Sequence, residues 1–177
     1  YRGIGYSSKI APLSVGEMAD DTIALIQTLG FKKINLFGFS LGGMVAQEVM
    51  RKSPDLVFKL ILTGTGPAGG KGINKVGAVS WPLIVKALLT LRDPKYNLFF
   101  TPSQNSQRAA KEFLARLNER KNDRDKGPTP RAFLRQLTAV QDWGNQSPQD
   151  LGAITIPVLV ANGDNDLMVP SENTVDM

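Results

Sequence analysis

Ser40 stands between glycines in Gly38-Phe39-Ser40-Leu41-Gly42-Gly43, at the point where an apolar stretch gives way to a helical pattern. This is the G-x-S-x-G arrangement. A sharp strand-to-helix turn pushes a hydroxyl clear of the backbone, and the positive end of the following helix favours negative charge beside it. The pattern suits Ser40 as a nucleophile and the Leu41 N–H as donor to an oxyanion. Small residues at Gly38 and Gly42 are expected to let strand and helix close around the turn. The competing reading is a Gly-rich turn with an incidental serine.

A second constellation follows an apolar run near the end of the chain: Gly163-Asp164-Asn165-Asp166-Leu167-Met168-Val169-Pro170. A carboxylate at the C-terminal end of a strand can orient and charge-stabilise a catalytic imidazole. Asp166 is expected in that role and Asp164 as the turn former. Calcium is excluded, because no Gly at loop position six and no Glu at position twelve follow. No metal site and no cofactor are expected.

The imidazole itself is missing. The 177 residues contain no His and no Cys. The second zero removes disulfides, thiol nucleophiles and iron–sulfur clusters; the first removes any His-dependent triad or His-ligated metal within these residues. At 42% apolar and 21% charged residues, the composition is that of a globular chain with a real core. The net charge of +5 raises nucleic-acid binding as a possibility. Over half of that excess lies in 108–126, with seven Lys/Arg against four Asp/Glu and Phe113 as the only aromatic. Mixed signs at helical spacing suit a solvated helix face, so no nucleic-acid partner is expected. No apolar run reaches a membrane span, no signal peptide is visible, and a cytoplasmic location is the expectation.

These residues need elements to hold them. Ser14-Val15-Gly16-Glu17 fits a capping box opening a helix to about Leu29, with Met18, Ile23, Ile26 and Leu29 on one face. Residues 33–39 predict a short buried strand, 40–52 a helix stopped by Ser53-Pro54, and 57–63 a second strand. Strand, helix and strand at these lengths make a βαβ unit in a parallel sheet covered on both faces. Residues 64–154 hold no convincing strand. They offer three helices: one starting near Trp81 with Pro82 in its first turn and Ile84, Leu88 and Leu91 on one face, one over 106–121, and one opened by Thr129-Pro130. Residues 156–161 predict a third strand. The organisation expected is a core over 1–66, a helical cap over 67–150, and the core resumed over 151–177.

Gly64-Thr65-Gly66-Pro67-Ala68-Gly69 is formally G-x-G-x-x-G. A dinucleotide site requires that motif to open a helix, and Pro67, Gly69, Gly70 and Gly72 argue against one. Thr65 to Lys71 is also a near miss for a phosphate-binding loop, with Gly72 where the magnesium ligand should stand. A turn into the helical stretch is the better reading.

Taken in order, Arg2-Gly3-Ile4-Gly5-Tyr6-Ser7, Gly38-Phe39-Ser40-Leu41-Gly42-Gly43 and Gly163-Asp164-Asn165-Asp166 with Val169-Pro170 resemble the α/β-hydrolase fold family. The likeness is strongest to its small esterase, enol-lactonase and cofactor-free haloperoxidase-like members. It implies a partial α/β-hydrolase fold: a parallel sheet with flanking helices and a helical cap inserted before the acid-bearing strand. It further implies a serine hydrolase that acts on an ester, thioester or lactone through an acyl-Ser40 intermediate, with Asp166 as triad acid. The partner would be a small molecule with an apolar acyl group. The resemblance also implies a His-Gly oxyanion loop before the opening motif and a base His about thirty residues after Asp166. Neither is present, so an internal fragment without efficient triad catalysis is expected. A member of the fold that binds a ligand or partner without catalysis is the alternative.

Overall fold

The computed structural model describes residues 1–7, 10–124 and 127–177. Ser8 and Lys9 of the opening loop, and Asp125 and Lys126 of the basic stretch, lie outside the described residues. The chain divides into two compact units, one formed by 1–76 with 128–177 and the other by 77–127.

In the first unit, helix α1 (Val15–Thr28) begins where the sequence places it. The Ser14 hydroxyl accepts the Glu17 N–H at 3.1 Å, while Glu17 Oε2 reaches back to the Leu13 N–H at 3.3 Å, one residue earlier than a standard capping box. Met18 and Ile26 are buried, and Leu29 is 61% exposed because the helix has already ended. Strands β1 (Ile34–Phe39) and β2 (Val57–Thr63) flank helix α2 (Leu41–Lys52) in sequence, and a third strand, β3 (Val158–Ala161), completes a parallel sheet of order β1-β2-β3. β3 is shorter than expected, starting just after Pro157, which lacks an N–H for the ladder. Helix α2 has Arg51 and Lys52 in its last turn, favourably placed at the negative end of the helix dipole.

The register aligns Phe39, Thr63 and Ala161 in one row across the sheet. Ser40, Gly64 and Asn162 therefore leave along the same carboxyl edge. One sheet face carries Leu36, Leu60 and Leu62, and packs with Met18, Met44, Val49 and Trp143 in the core.

The other face departs from the expectation of a doubly covered sheet. Phe37 is 63%, Phe39 59% and Leu159 58% exposed. The run Leu60-Ile61-Leu62 establishes that both faces of β2 are apolar, and apolarity alone does not supply a covering element.

Helix α3 (Val76–Leu89) begins earlier than expected, so Pro82 falls inside it and not in its first turn. Its expected face also differs: Leu88 is 64% and Leu91 96% exposed, whereas Ala87 is buried. The second unit continues through α4 (Lys95–Leu98) and α5 (Gln104–Leu117), the latter capped by the Ser103 hydroxyl. Within this unit the Phe100 and Phe113 rings meet at 5.7 Å. Helix α6 (Pro130–Gly144) is opened by Thr129, whose hydroxyl accepts the Ala132 N–H at 3.1 Å. It groups with the sheet-bearing unit, because Ala139, Val140 and Trp143 enter the core. The compact second unit is thus shorter at both ends than the 67–150 stretch expected for a cap.

Candidate functional site

Ser40 occupies the N-cap of α2, where a serine ordinarily folds its hydroxyl onto the helix N–H groups. Here it does not. Its backbone sits at φ 52 and ψ −123, and its side chain makes no capping bond. An L-residue at positive φ is strained, and such strain persists only where the surroundings over-determine it. The Ser40 N–H donates to the Thr63 carbonyl at 3.0 Å, extending the β1–β2 ladder one step, and the Gly43 N–H returns to the Ser40 carbonyl at 2.8 Å. The same turn leaves the Leu41 N–H, first in the helix, without an intrahelical acceptor.

The two glycines expected to permit this turn divide. A Cβ on Gly38 would stand 2.6 Å from both the Gly42 oxygen and the Gly43 Cα, so glycine is required there. A Cβ on Gly42 would meet nothing within 4 Å. The close approach expected of Gly42 falls on Gly43, whose Cβ would stand 2.4 Å from the Thr65 side chain. Helical geometry turns position 42 outward and position 43 toward the segment after β2.

Asp166 follows β3 on the same edge. Its Oδ1 accepts the Met168 N–H at 2.9 Å and the Val169 N–H at 3.0 Å. Asp166, and not Asp164, therefore forms the turn, since the acceptor must lie two or three residues before the N–H groups it binds. Asp164 is exposed. Both bonds fall on one oxygen of Asp166, and Oδ2 remains to accept another donor. Asn162 Nδ2 donates to the Val169 carbonyl at 3.1 Å and closes the base of the loop. Asn173 Nδ2 donates to the carbonyls of Lys71, at 3.0 Å, and Pro170, at 2.8 Å. An ion pair between Lys71 and Glu172 joins the same two segments.

The strands carrying Ser40 and Asp166 are separated by β2 alone, which sets their axes about 10 Å apart. An imidazole with a hydrogen bond at each end spans about 7–8 Å, a length comparable with that gap. Among the described residues, no group of three or more metal-ligating side chains occurs, and no helix is long and apolar enough to cross a membrane.

The Gly64–Gly69 glycines act in packing. A Cβ on Gly66 would stand 2.6 Å from Ile73 Cδ1 and 3.0 Å from Asn173 Cγ. Three buried residues were not singled out by sequence as supports of the turn: Thr65, Gln47 and Asn173. Gln47 carried a legible signal, as an uncharged polar residue amid Met44, Val45, Ala46 and Val49. Thr65 and Asn173 carried none.

A family model described as the alpha/beta hydrolase fold matches residues 1–177. The chain belongs to this family. A solved alpha/beta hydrolase fold protein from Chitinophaga pinensis is 33% identical and superposes with a TM-score of 0.89, covering 99% of this chain and 63% of its own. Homoserine O-acetyltransferase of Deinococcus radiodurans is 28% identical over 90% of this chain and 51% of its own length. The pimeloyl-[acyl-carrier protein] methyl ester esterase of Aliivibrio salmonicida is 26% identical over 99% of this chain and 65% of its own length. The chain thus spans between about half and two thirds of the length of these relatives.

Proposed function

We propose that the protein is a serine hydrolase that cleaves an ester, thioester or lactone through an acyl-Ser40 intermediate. The observation that carries this reading is the backbone of Ser40, held at φ 52 with its hydroxyl withheld from the helix it precedes. A serine kept in a costly conformation without a capping bond is arranged for something other than helix stability. The names of two relatives, an O-acetyltransferase and a methyl ester esterase, support acyl chemistry.

In this reading Ser40 Oγ attacks the acyl carbon and gives its proton to a base. The Leu41 N–H stabilises the oxyanion. The leaving alkoxide or thiolate takes the proton back, and a water activated in the same way releases the acid and frees Ser40. Asp166, through Oδ2, orients the base and stabilises its charged form. No His is present among the 177 residues, so the imidazole is not supplied by them. An apolar acyl group is the substrate class favoured.

The missing imidazole favours a second reading, an alpha/beta hydrolase that binds a ligand or partner without turnover. Both are tested on the product of the complete reading frame with p-nitrophenyl acetate and butyrate. Hydrolysis abolished by Ser40→Ala is the expected result. Turnover unchanged in Ser40→Ala overturns the proposal, and absence of any turnover in a folded protein favours the second reading.

A further inference from the structure

Gln47 lies within α2 and is 1% exposed. Its Nε2 donates to the Gly43 carbonyl at 3.2 Å and to the Gly66 carbonyl at 3.1 Å. Its Oε1 is buried with no hydrogen-bond partner among the described residues. An orphaned buried acceptor is costly, and a methionine of similar shape would suit the neighbouring Met44, Val45 and Val49 without that cost. What the carboxamide does that methionine cannot is hold two carbonyls at once.

Those carbonyls belong to the site. Gly43 lies in the first turn of α2, three residues after Ser40, and Gly66 lies three residues beyond the end of β2. Trp143 Nε1 donates to the same Gly66 carbonyl at 3.1 Å, so this carbonyl is gripped from two sides. The Thr65 side chain stands against Gly43, and the Thr63 carbonyl accepts the Ser40 N–H. The segment 63–66 is therefore fastened to the start of α2 at three successive levels: a backbone bond, a side-chain contact and the Gln47 clamp.

We propose that Gln47 is a positioning residue for Ser40, its carboxamide clamping the first turn of α2 to Gly66 and thereby holding the strained turn that aims Ser40 Oγ and the Leu41 N–H. The inference rests on Ser40 being the nucleophile. Displacements of about 1 Å at a reacting group cost on the order of a hundred-fold in rate.

The test uses the product of the complete reading frame. Gln47→Met removes the bonds donated to the Gly43 and Gly66 carbonyls, the longer one to Met177 Sδ at 3.8 Å, and the orphaned oxygen, while keeping volume. It is expected to lower kcat about ten- to a hundred-fold with KM within about two-fold. Tm should stay near wild type, and amide hydrogen exchange at Leu41–Met44 should quicken. Ile26→Ala, in α1, serves as a packing control that touches none of the clamp's hydrogen bonds, with lower Tm and unchanged kcat. Should Gln47→Met not fold, Trp143→Phe removes the other bond to Gly66 and is expected to give the same kcat-selective loss. The proposal is overturned if the folded variant keeps wild-type kcat, or if Ile26→Ala loses kcat in the same proportion to Tm. Ser40→Ala separates the two ideas. Activity persisting in Ser40→Ala removes the underlying reading as well, whereas its loss alongside an active Gln47→Met overturns the clamp alone.

Discussion

The Ser40 N–H donates to the Thr63 carbonyl at 3.0 Å, one step beyond the last paired residues of β1 and β2. This bond fixes the backbone of Ser40 just where the chain must turn from strand to helix. It makes the turn a continuation of the sheet, and the strain at φ 52 is borne by the ladder behind it.

Strain of this kind predicts different effects of two small substitutions at Ser40. Ser40→Gly should stabilise the fold by about 1 kcal/mol net, because glycine tolerates positive φ and the strain relieved outweighs its greater loss of chain entropy on folding. Ser40→Ala retains the strain and should leave stability within about 0.5 kcal/mol. Both should abolish ester cleavage. Urea denaturation beside a p-nitrophenyl ester assay checks the pair, and a Ser40→Gly protein less stable than Ser40→Ala contradicts the argument.

The glycines of the turn are expected to separate by stability. Gly38→Ala forces a methyl against the Gly42 oxygen and the Gly43 Cα and should cost about 1–3 kcal/mol. Gly42→Ala meets open space on a helix and should be neutral or stabilising by up to about 1 kcal/mol. Thermal melts of the two variants decide this.

Asp166→Asn tests the division of labour between the two carboxylate oxygens. An amide oxygen in the place of Oδ1 still accepts the Met168 and Val169 N–H groups, so Tm should change by only a few degrees. An amide cannot stabilise a charged base, so kcat should fall by roughly three to four orders of magnitude. A folded Asp166→Asn with near wild-type kcat would remove Asp166 from the mechanism.

Glu48 carries a pH dependence. It is 5% exposed, with Arg51 bridging both carboxylate oxygens at 2.8–3.2 Å and Gln149 Nε2 donating to Oε1 at 2.8 Å. Burial works against its charge. The hydrogen bonds from Arg51 and Gln149, with the fields of Arg51 and Lys52, outweigh burial and lower its pKa below the ordinary 4.5. A lowered folded pKa stabilises the fold above the unfolded value, and that contribution is lost as pH falls through the folded one. Glu48→Gln should therefore be less stable than wild type at pH 7 by about 1–3 kcal/mol, with the gap closing below pH of about 4. Denaturation at a series of pH values measures it, and a gap independent of pH contradicts the assignment.

Much of this was legible in residue order. Gly38, Ser40 and Asp166 could be located because a strained turn and a carboxylate after a strand leave local signatures, namely small residues at fixed offsets and a Gly-Asp-rich loop. The same holds for α1 and α6, whose caps at Ser14 and Thr129 are local hydrogen bonds. Gly42 and Gly43 look alike in sequence, and only the position of Thr65 across the helix tells them apart. Asp164 and Asp166 likewise differ by which N–H groups the loop presents.

The amino-acid sequence by itself determined the three strands, helices α1, α2, α5 and α6, the strand-to-helix turn at Ser40, the Asp-rich loop after β3, and the absence of any imidazole or thiol from these residues, while the short α4 was not legible. Those features depend on covalent order and on interactions a few residues long. The tertiary structure decided which sheet face is covered, that α6 joins the sheet-bearing unit through Trp143, and that Gln47 links Gly43 to Gly66. Each of these joins residues far apart in the chain. Such pairings are chosen by packing and by the need of buried polar groups for partners, and neither is written in local periodicity.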